Sequence, residues 1–194
     1  MEKRKSKFKE LFGLMDIGFF NSFSTIKTSL HFVKTVFGKG SRTNSLDAIF
    51  NYIPISDTIA SAGQPHPDQF PAIQAAGFVR VINLAPHGAE NAIKNEGELV
   101  EKLGMSYIHI PVQFDNPSEE DYDAFCQALE EADSNKVFVH CAANMRVSAF
   151  LYRYRTQHLS IDPDLAKQDL DKVWKPFGVW ADFVTRPQTN RENN

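Results

Sequence analysis

From about residue 50 the sequence alternates short apolar, β-branched runs with segments of helical period. This alternation limits the fold more than any other feature of the chain. Ile53–Ser56 and Thr58–Ala62 read as short strands, Pro67–Ala76 as a short helix, Val79–Leu84 as a strand, Ala89–Leu103 as a helix and Ser106–Val112 as a strand. Ser118–Ala132 reads as a helix with Tyr122, Phe125, Cys126 and Leu129 on its apolar face, opened by a capping box of Ser118 and Asp121. Lys136–His140 is a strand, and Val147–His158 a helix with Val147, Phe150, Leu151 and Tyr154 on one side. Asp162-Pro163 opens a further helix reaching Trp174, and Pro176–Val184 a last short one, with Trp174, Phe177 and Trp180 as core residues. Strand–helix alternation of this kind predicts an α/β fold, a three-layer, mostly parallel sheet flanked by helices. The 194 residues hold one ordinary domain of about 150 residues and some forty more. The expected organisation is an arm over residues 1–45, a domain over 46–184 and a polar tail over 185–194.

Sites in parallel sheets lie at the C-terminal ends of strands. Cys141 stands at one such end and Asp115 just after another. Cys141 is followed by Ala142, Ala143, Asn144 and Met145, then by Arg146 on the first turn of a helix. A helix N-terminus binds anions and stabilises a thiolate. A short loop entering a helix points several N–H groups inward, and an arginine adds a planar two-pronged donor for an oxyanion. The chain therefore reads as acting through Cys141 on an anionic group. His140 is expected to brace the loop, and Ser148 to donate a hydrogen bond to the sulfur. Gln64 either lines the pocket or pins its own turn. Asp115 sits in Asp-Asn-Pro, which is also turn chemistry. Cys126, on an apolar helix face, is a structural cysteine, and His31, His66, His87, His109 and His158 have no metal-ligand spacing.

His140-Cys141, a short loop and Arg146 together resemble the signature of cysteine-dependent protein tyrosine and dual-specificity phosphatases. Ser61-Ala62-Gly63-Gln64-Pro65, then Gly77-Phe78 with Val81-Ile82-Asn83-Leu84, then Ile108-His109-Ile110-Pro111-Val112, bring a closer resemblance. It is to the bacterial phosphatase-like family also found as the amino-terminal part of beta-lactamase hydrolase-like proteins, and it covers about residues 50–158. The resemblance implies a phosphotyrosine-phosphatase-like fold and hydrolysis of phosphate monoesters through a phosphocysteine at Cys141. It implies that Arg146 and the N–H groups of Ala142, Ala143, Asn144, Met145 and Arg146 hold the phosphate oxygens. A carboxylic acid is implied on the loop Gln113–Pro117, with Asp115 first choice and Glu119 and Glu120 close behind. The implied substrate is a phosphorylated protein or small molecule, and no metal or cofactor is needed. Four residues separate Cys141 from Arg146, where most tyrosine phosphatases have five, and Asn144 and Met145 stand where glycine is common. Rhodanese-like sulfurtransferases also use a short loop. A persulfide carrier at Cys141 therefore stays open beside the phosphatase, as does a pseudophosphatase that binds phosphorylated ligands without turnover.

Charge divides the chain. Residues 1–45 carry nine Lys/Arg against three acids, and residues 46–194 carry twelve against twenty-one. The acidic body argues against nucleic acid as a partner. In the arm, Phe8, Phe12, Met15, Phe19, Phe23, Ile26, Leu30, Val33 and Phe37 recur at close to the helical period until Gly38-Lys39-Gly40-Ser41 ends the pattern. Such a helix packs on the body or on another copy, or lies at a membrane surface with Lys3, Arg4, Lys5, Lys7 and Lys9. No apolar run approaches the roughly twenty residues of a membrane span. Two cysteines do not make a disulfide framework, so the expectation is a cytoplasmic protein, peripheral at a membrane if the arm binds one.

Overall fold

The structure, a computed structural model, describes residues 25–30 and 45–187. Five strands form one sheet in the order β1-β2-β5-β3-β4. They are β1 (Ile53–Pro54), β2 (Ile59–Ala62), β3 (Phe78–Asn83), β4 (Ser106–His109) and β5 (Lys136–His140). Only β1 runs antiparallel to its neighbour, β2, and the other pairings are parallel. The register aligns Ala62 and Asn83 with His140, and Asn83 with His109. The strand ends that precede the functional loops therefore stand in one row.

Among the described residues, besides the helical segment 25–30, the α-helices are α1 (Phe70–Ala75), α2 (Glu96–Lys102), α3 (Glu119–Glu130), α4 (Met145–Gln157), α5 (Pro163–Val173) and α6 (Val179–Thr185). The period-2 alternation of the strands builds two cores. Ile82, Val137 and Val139 face one side, with Phe125, Phe150, Leu170, Trp174, Trp180 and Phe183 from α3 to α6 and the turn after α5. Val81 and Phe138 face the other, with Phe70, Ile73 and Val100 from α1 and α2. This is the expected three-layer arrangement.

Local signals set several of these elements. The capping box before α3 forms in both directions, with Ser118 Oγ accepting from Asp121 N–H and the Asp121 carboxylate accepting from Ser118 N–H. Asp162 accepts from the N–H groups of Asp164 and Leu165, with Pro163 at the first helical position of α5. The strand expected to reach Val112 closes at His109. Pro111 has no N–H to continue the ladder, though Ile110 and Val112 still donate to Asn83 O and Leu84 O.

Two larger differences have tertiary causes. The helix expected over Ala89–Leu103 exists only from Glu96. Residues before it follow turns, Asn95 adopts a left-handed φ of 62° and Asn91 is drawn to the Ala142 carbonyl. Helix α4 begins at Met145 rather than Val147, because left-handed Asn144 (φ 67°) turns the chain directly from loop to helix.

Most of the expected arm falls outside the described residues. Residues 25–30 are helical, but the buried residues are Thr25, Thr28 and Ser29, while Leu30 is 60% exposed. Here polar side chains rather than the expected apolar stripe meet the body. Residues 185–187, placed by sequence in the tail, are held by Gln157 Nε2 and Arg153, which donate to Arg186 O and Pro187 O. No helix among the described residues is long and apolar enough to cross a membrane.

Candidate active site

Strand β5 delivers Cys141, fully buried, to the C-terminal edge of the sheet, where its N–H donates to Ala62 O at 3.3 Å. The chain then turns through Ala142 and Ala143 to Asn144, a residue type that tolerates left-handed backbone. The loop is held from outside through its carbonyl groups. Ala142 O accepts from Gln64 N–H (3.3 Å) and Asn91 Nδ2 (3.0 Å), and Ala143 O accepts from Asn51 Nδ2 (3.0 Å). Asn144 Nδ2 donates to Asn51 O (2.8 Å) and Ser61 Oγ (3.0 Å). The N–H groups of Met145, Arg146 and Val147 open α4 and so have no intrahelical acceptor. Those of Ala142 and Ala143 donate to no other group among the described residues. The loop thus gathers backbone donors around the thiol end of β5, as an anion cradle requires.

Gly63 makes the close packing of this loop possible. It pairs with Ala143 across an antiparallel bridge. A Cβ at Gly63 would stand 2.8 Å from Phe50 Cδ1, 3.1 Å from Phe50 O and 3.2 Å from Ala142 O.

Arg146 stands on the first turn of α4, with Cys141 and Asp115 as its favourable electrostatic partners. Burial pulls its pKa down, and Cys141 and Asp115 act against that pull. The guanidinium lies over the Phe114 ring at 5.1 Å, and its Nε is buried with no partner among the described residues. Phe114 is anchored in turn. Its carbonyl accepts from Trp180 Nε1 at 2.7 Å, and its ring packs on Trp174 and Trp180. The anchored loop carries exposed Asp115 toward Arg146, so the structure brings Cys141, Arg146 and Asp115 to one end of the sheet.

The other expected site residues divide. Glu119 is committed elsewhere, in a two-pronged pair with Arg153 (2.9 and 2.7 Å) and a contact with Arg186. Glu120 is exposed on α3. Ser148 does not serve the sulfur: its hydroxyl donates to Met145 O at 3.0 Å and accepts from Trp174 Nε1 at 3.2 Å. A serine hydroxyl has one proton to give, and the Met145 carbonyl takes it. Cys126 is buried, and burial pushes its thiol up to about 12, as suits a packing residue. Among the described residues no group of three or more His, Cys, Asp or Glu is placed to hold a metal ion.

Sequence reasoning missed Glu96. It is 4% exposed, and its carboxylate accepts from Asn83 Nδ2 at 3.0 Å and from Gln64 Nε2, and lies 2.9 Å from His140 Nε2. Burial alone would raise its pKa. The neighbouring His140 imidazole, with Gln64 and Tyr107, outweighs burial and lowers it. Gln64 and His140, one on each side of the loop, are thus joined behind it by one carboxylate. Gln64 spends its amide there rather than on its turn alone. Nothing local in Lys94-Asn95-Glu96-Gly97-Glu98 separates Glu96 from the exposed Glu98.

The sheet order, with its central cysteine-bearing strand and its arginine-capped loop, places the protein in the tyrosine-phosphatase-like fold class. Pseudomonas aeruginosa TpbA in complex with pTyr superposes with a TM-score of 0.57 at 14% identity, over 71% of this chain and 85% of that one. A DUF442 protein from Shewanella putrefaciens CN-32 is closer, with a TM-score of 0.67 at 34% identity, over 75% and 95%. Residues 51–153 match the model of the beta-lactamase hydrolase-like protein, phosphatase-like domain, and the chain belongs to that family. The beta-lactamase hydrolase-like protein of Agrobacterium fabrum is 36% identical over 139 residues, which are 69% of this chain and 31% of the relative. The chain therefore spans about a third of that relative's length.

Proposed function

We propose that the protein hydrolyses phosphate monoesters through a phosphocysteine on Cys141. The observation that carries this reading is the loop from buried Cys141 into the start of α4, whose N–H groups lack intrahelical acceptors and whose first turn bears Arg146 with Cys141 and Asp115 as its electrostatic partners. In the first step the Cys141 thiolate forms an Sγ–P bond as the P–O bond to the leaving group breaks, and Asp115 passes a proton to the departing oxygen. In the second, Asp115 takes a proton from water, the water oxygen bonds phosphorus and the S–P bond breaks, releasing inorganic phosphate and restoring the thiolate. Arg146 and the loop N–H groups hold the oxygens on which charge accumulates. Phosphotyrosine is the first substrate class to test, since a neighbour of the same fold is found with pTyr and another, PTPMT1, with PI(5)P.

The test is hydrolysis of an aryl phosphate by the full chain. Activity should vanish in Cys141→Ser while phosphate binding persists. Equal turnover by wild type and Cys141→Ser would overturn the assignment. The four-residue spacing favours one competing reading, a persulfide carrier. A one-sulfur mass adduct after thiosulfate, removed by cyanide, in a protein without phosphatase activity would establish it. Tight vanadate binding without turnover would instead make the protein a phosphate-binding pseudophosphatase.

A further inference from the structure

The helical segment 25–30 lies outside the matched family region, yet its polar side reaches the phosphate-binding loop through one intermediary. The C-terminus of α5 leaves backbone groups without helical partners. Segment 25–30 supplies them: Thr25 Oγ1 accepts from Lys175 N–H at 2.9 Å, and the Thr28 hydroxyl donates to Val173 O. Having given its one proton to Val173, the Thr28 oxygen can only accept on its remaining side. There it accepts from Asn51 Nδ2 at 3.1 Å.

Asn51 is the intermediary. Its amide nitrogen has two protons, one for Thr28 Oγ1 and one for Ala143 O (3.0 Å). Its own carbonyl accepts from Asn144 Nδ2 at 2.8 Å. Asn51 thus touches both residues that form the bend of the loop. With both amide protons placed, the Asn51 side chain has one orientation. Without the Thr28 hydroxyl it keeps a single acceptor and is free to turn away from Ala143.

We infer that Thr28 is a positioning residue for the phosphate-binding loop, acting through Asn51 on the Ala143 carbonyl and so on the plane of the Ala143–Asn144 peptide. The N-terminal segment is on this account part of the site's support. The inference rests on the loop being the oxyanion cradle of the proposed function, and its test separates the two.

The full chain is compared with Thr28→Val, Thr28→Ser, Asn51→Gly and the Thr28→Val/Asn51→Gly double variant. Glycine is chosen because Asn51 has a left-handed φ of 49°. Three quantities are read: affinity for inorganic phosphate, hydrogen exchange of the amides of residues 142–147, and melting temperature. Thr28→Val should weaken phosphate binding about 3- to 10-fold, the size of one lost hydrogen bond, and speed exchange in the loop. Thr28→Ser should restore both. In the Asn51→Gly background Thr28→Val should add nothing to either loop measurement. A Thr28→Val protein that melts earlier but binds phosphate and exchanges like wild type would overturn the inference, as would an undiminished effect in the Asn51→Gly background. If wild type binds no phosphate, the proposed function falls, and loop exchange alone decides the role of Thr28.

Discussion

Glu96→Gln probes the support behind the loop. The substitution keeps the shape of the side chain and removes its charge. Glu96 Oε1 faces Asn83 Nδ2 and His140 Nε2, and Oε2 faces Gln64 Nε2. A glutamine amide turned either way sets an NH₂ group against at least one of these donors, so a hydrogen bond becomes a donor–donor contact. It also leaves buried His140 without its carboxylate. Leaving a buried donor unsatisfied costs about 1–3 kcal/mol. At about 2–4 °C per kcal/mol for a chain of this size, the melting temperature at pH 7 should fall by about 2–12 °C. The pH dependence follows from the lowered pKa of Glu96. A carboxylate held below its ordinary value of 4.5 contributes fully above that value and loses its contribution as the pH falls through the lower folded value. Protonated Glu96 resembles glutamine, so the gap between wild type and variant should close on acidification below about pH 4.5. The assay is thermal melting of both proteins from pH 3.5 to 8. A variant melting like wild type at pH 7, or a gap that widens in acid, would refute the reasoning.

Three further outcomes follow from the geometry. Gly63→Ala should lower stability by about 1–3 kcal/mol through overpacking against Phe50 and Ala142 O, and should reduce kcat/KM of the folded fraction, read by thermal melting and initial rates on an aryl phosphate. Asp115→Asn should lower kcat on a poor leaving group by about 10²–10⁴-fold with little change in phosphate affinity, and unchanged kcat would remove Asp115 as the acid. Ser148→Ala should cost about 1–3 kcal/mol in urea unfolding, because the buried Trp174 N–H loses its acceptor.

What the sequence makes legible is what lies close together along it. The Ser118–Asp121 box, the apolar run in Lys136–His140 and the loop from Cys141 to Arg146 are each set within a few residues, and the structure forms all three. Asp115 could be proposed because a parallel sheet places its loops on one edge. Glu96 could not, since the donors that identify it come from Gln64, Asn83 and His140, which only the β2–β5–β3 pairing brings together. The expected Ser148–Cys141 bond failed for a local reason instead. The hydroxyl gives its one proton to the Met145 carbonyl, three residues back on the same helix. Helical period over Ala89–Leu103 misled because the Ala142 carbonyl claims Asn91.

The aromatic cluster of Phe114, Phe150, Trp174, Trp180 and Phe183 crosses the border of the shared family region, which ends at residue 153. Thr28 crosses the other border at residue 51. The stretch that the family model matches is therefore smaller than the stretch that packs as one body. A swap of homologous segments cut at residues 51 and 153 would carry the cysteine and arginine but strand them without the indoles that seat Phe114 and the hydroxyl that seats Asn51. Chimeras between members of this family should place their junctions outside residues 25 and 187, where the donor's own braces travel with its loop.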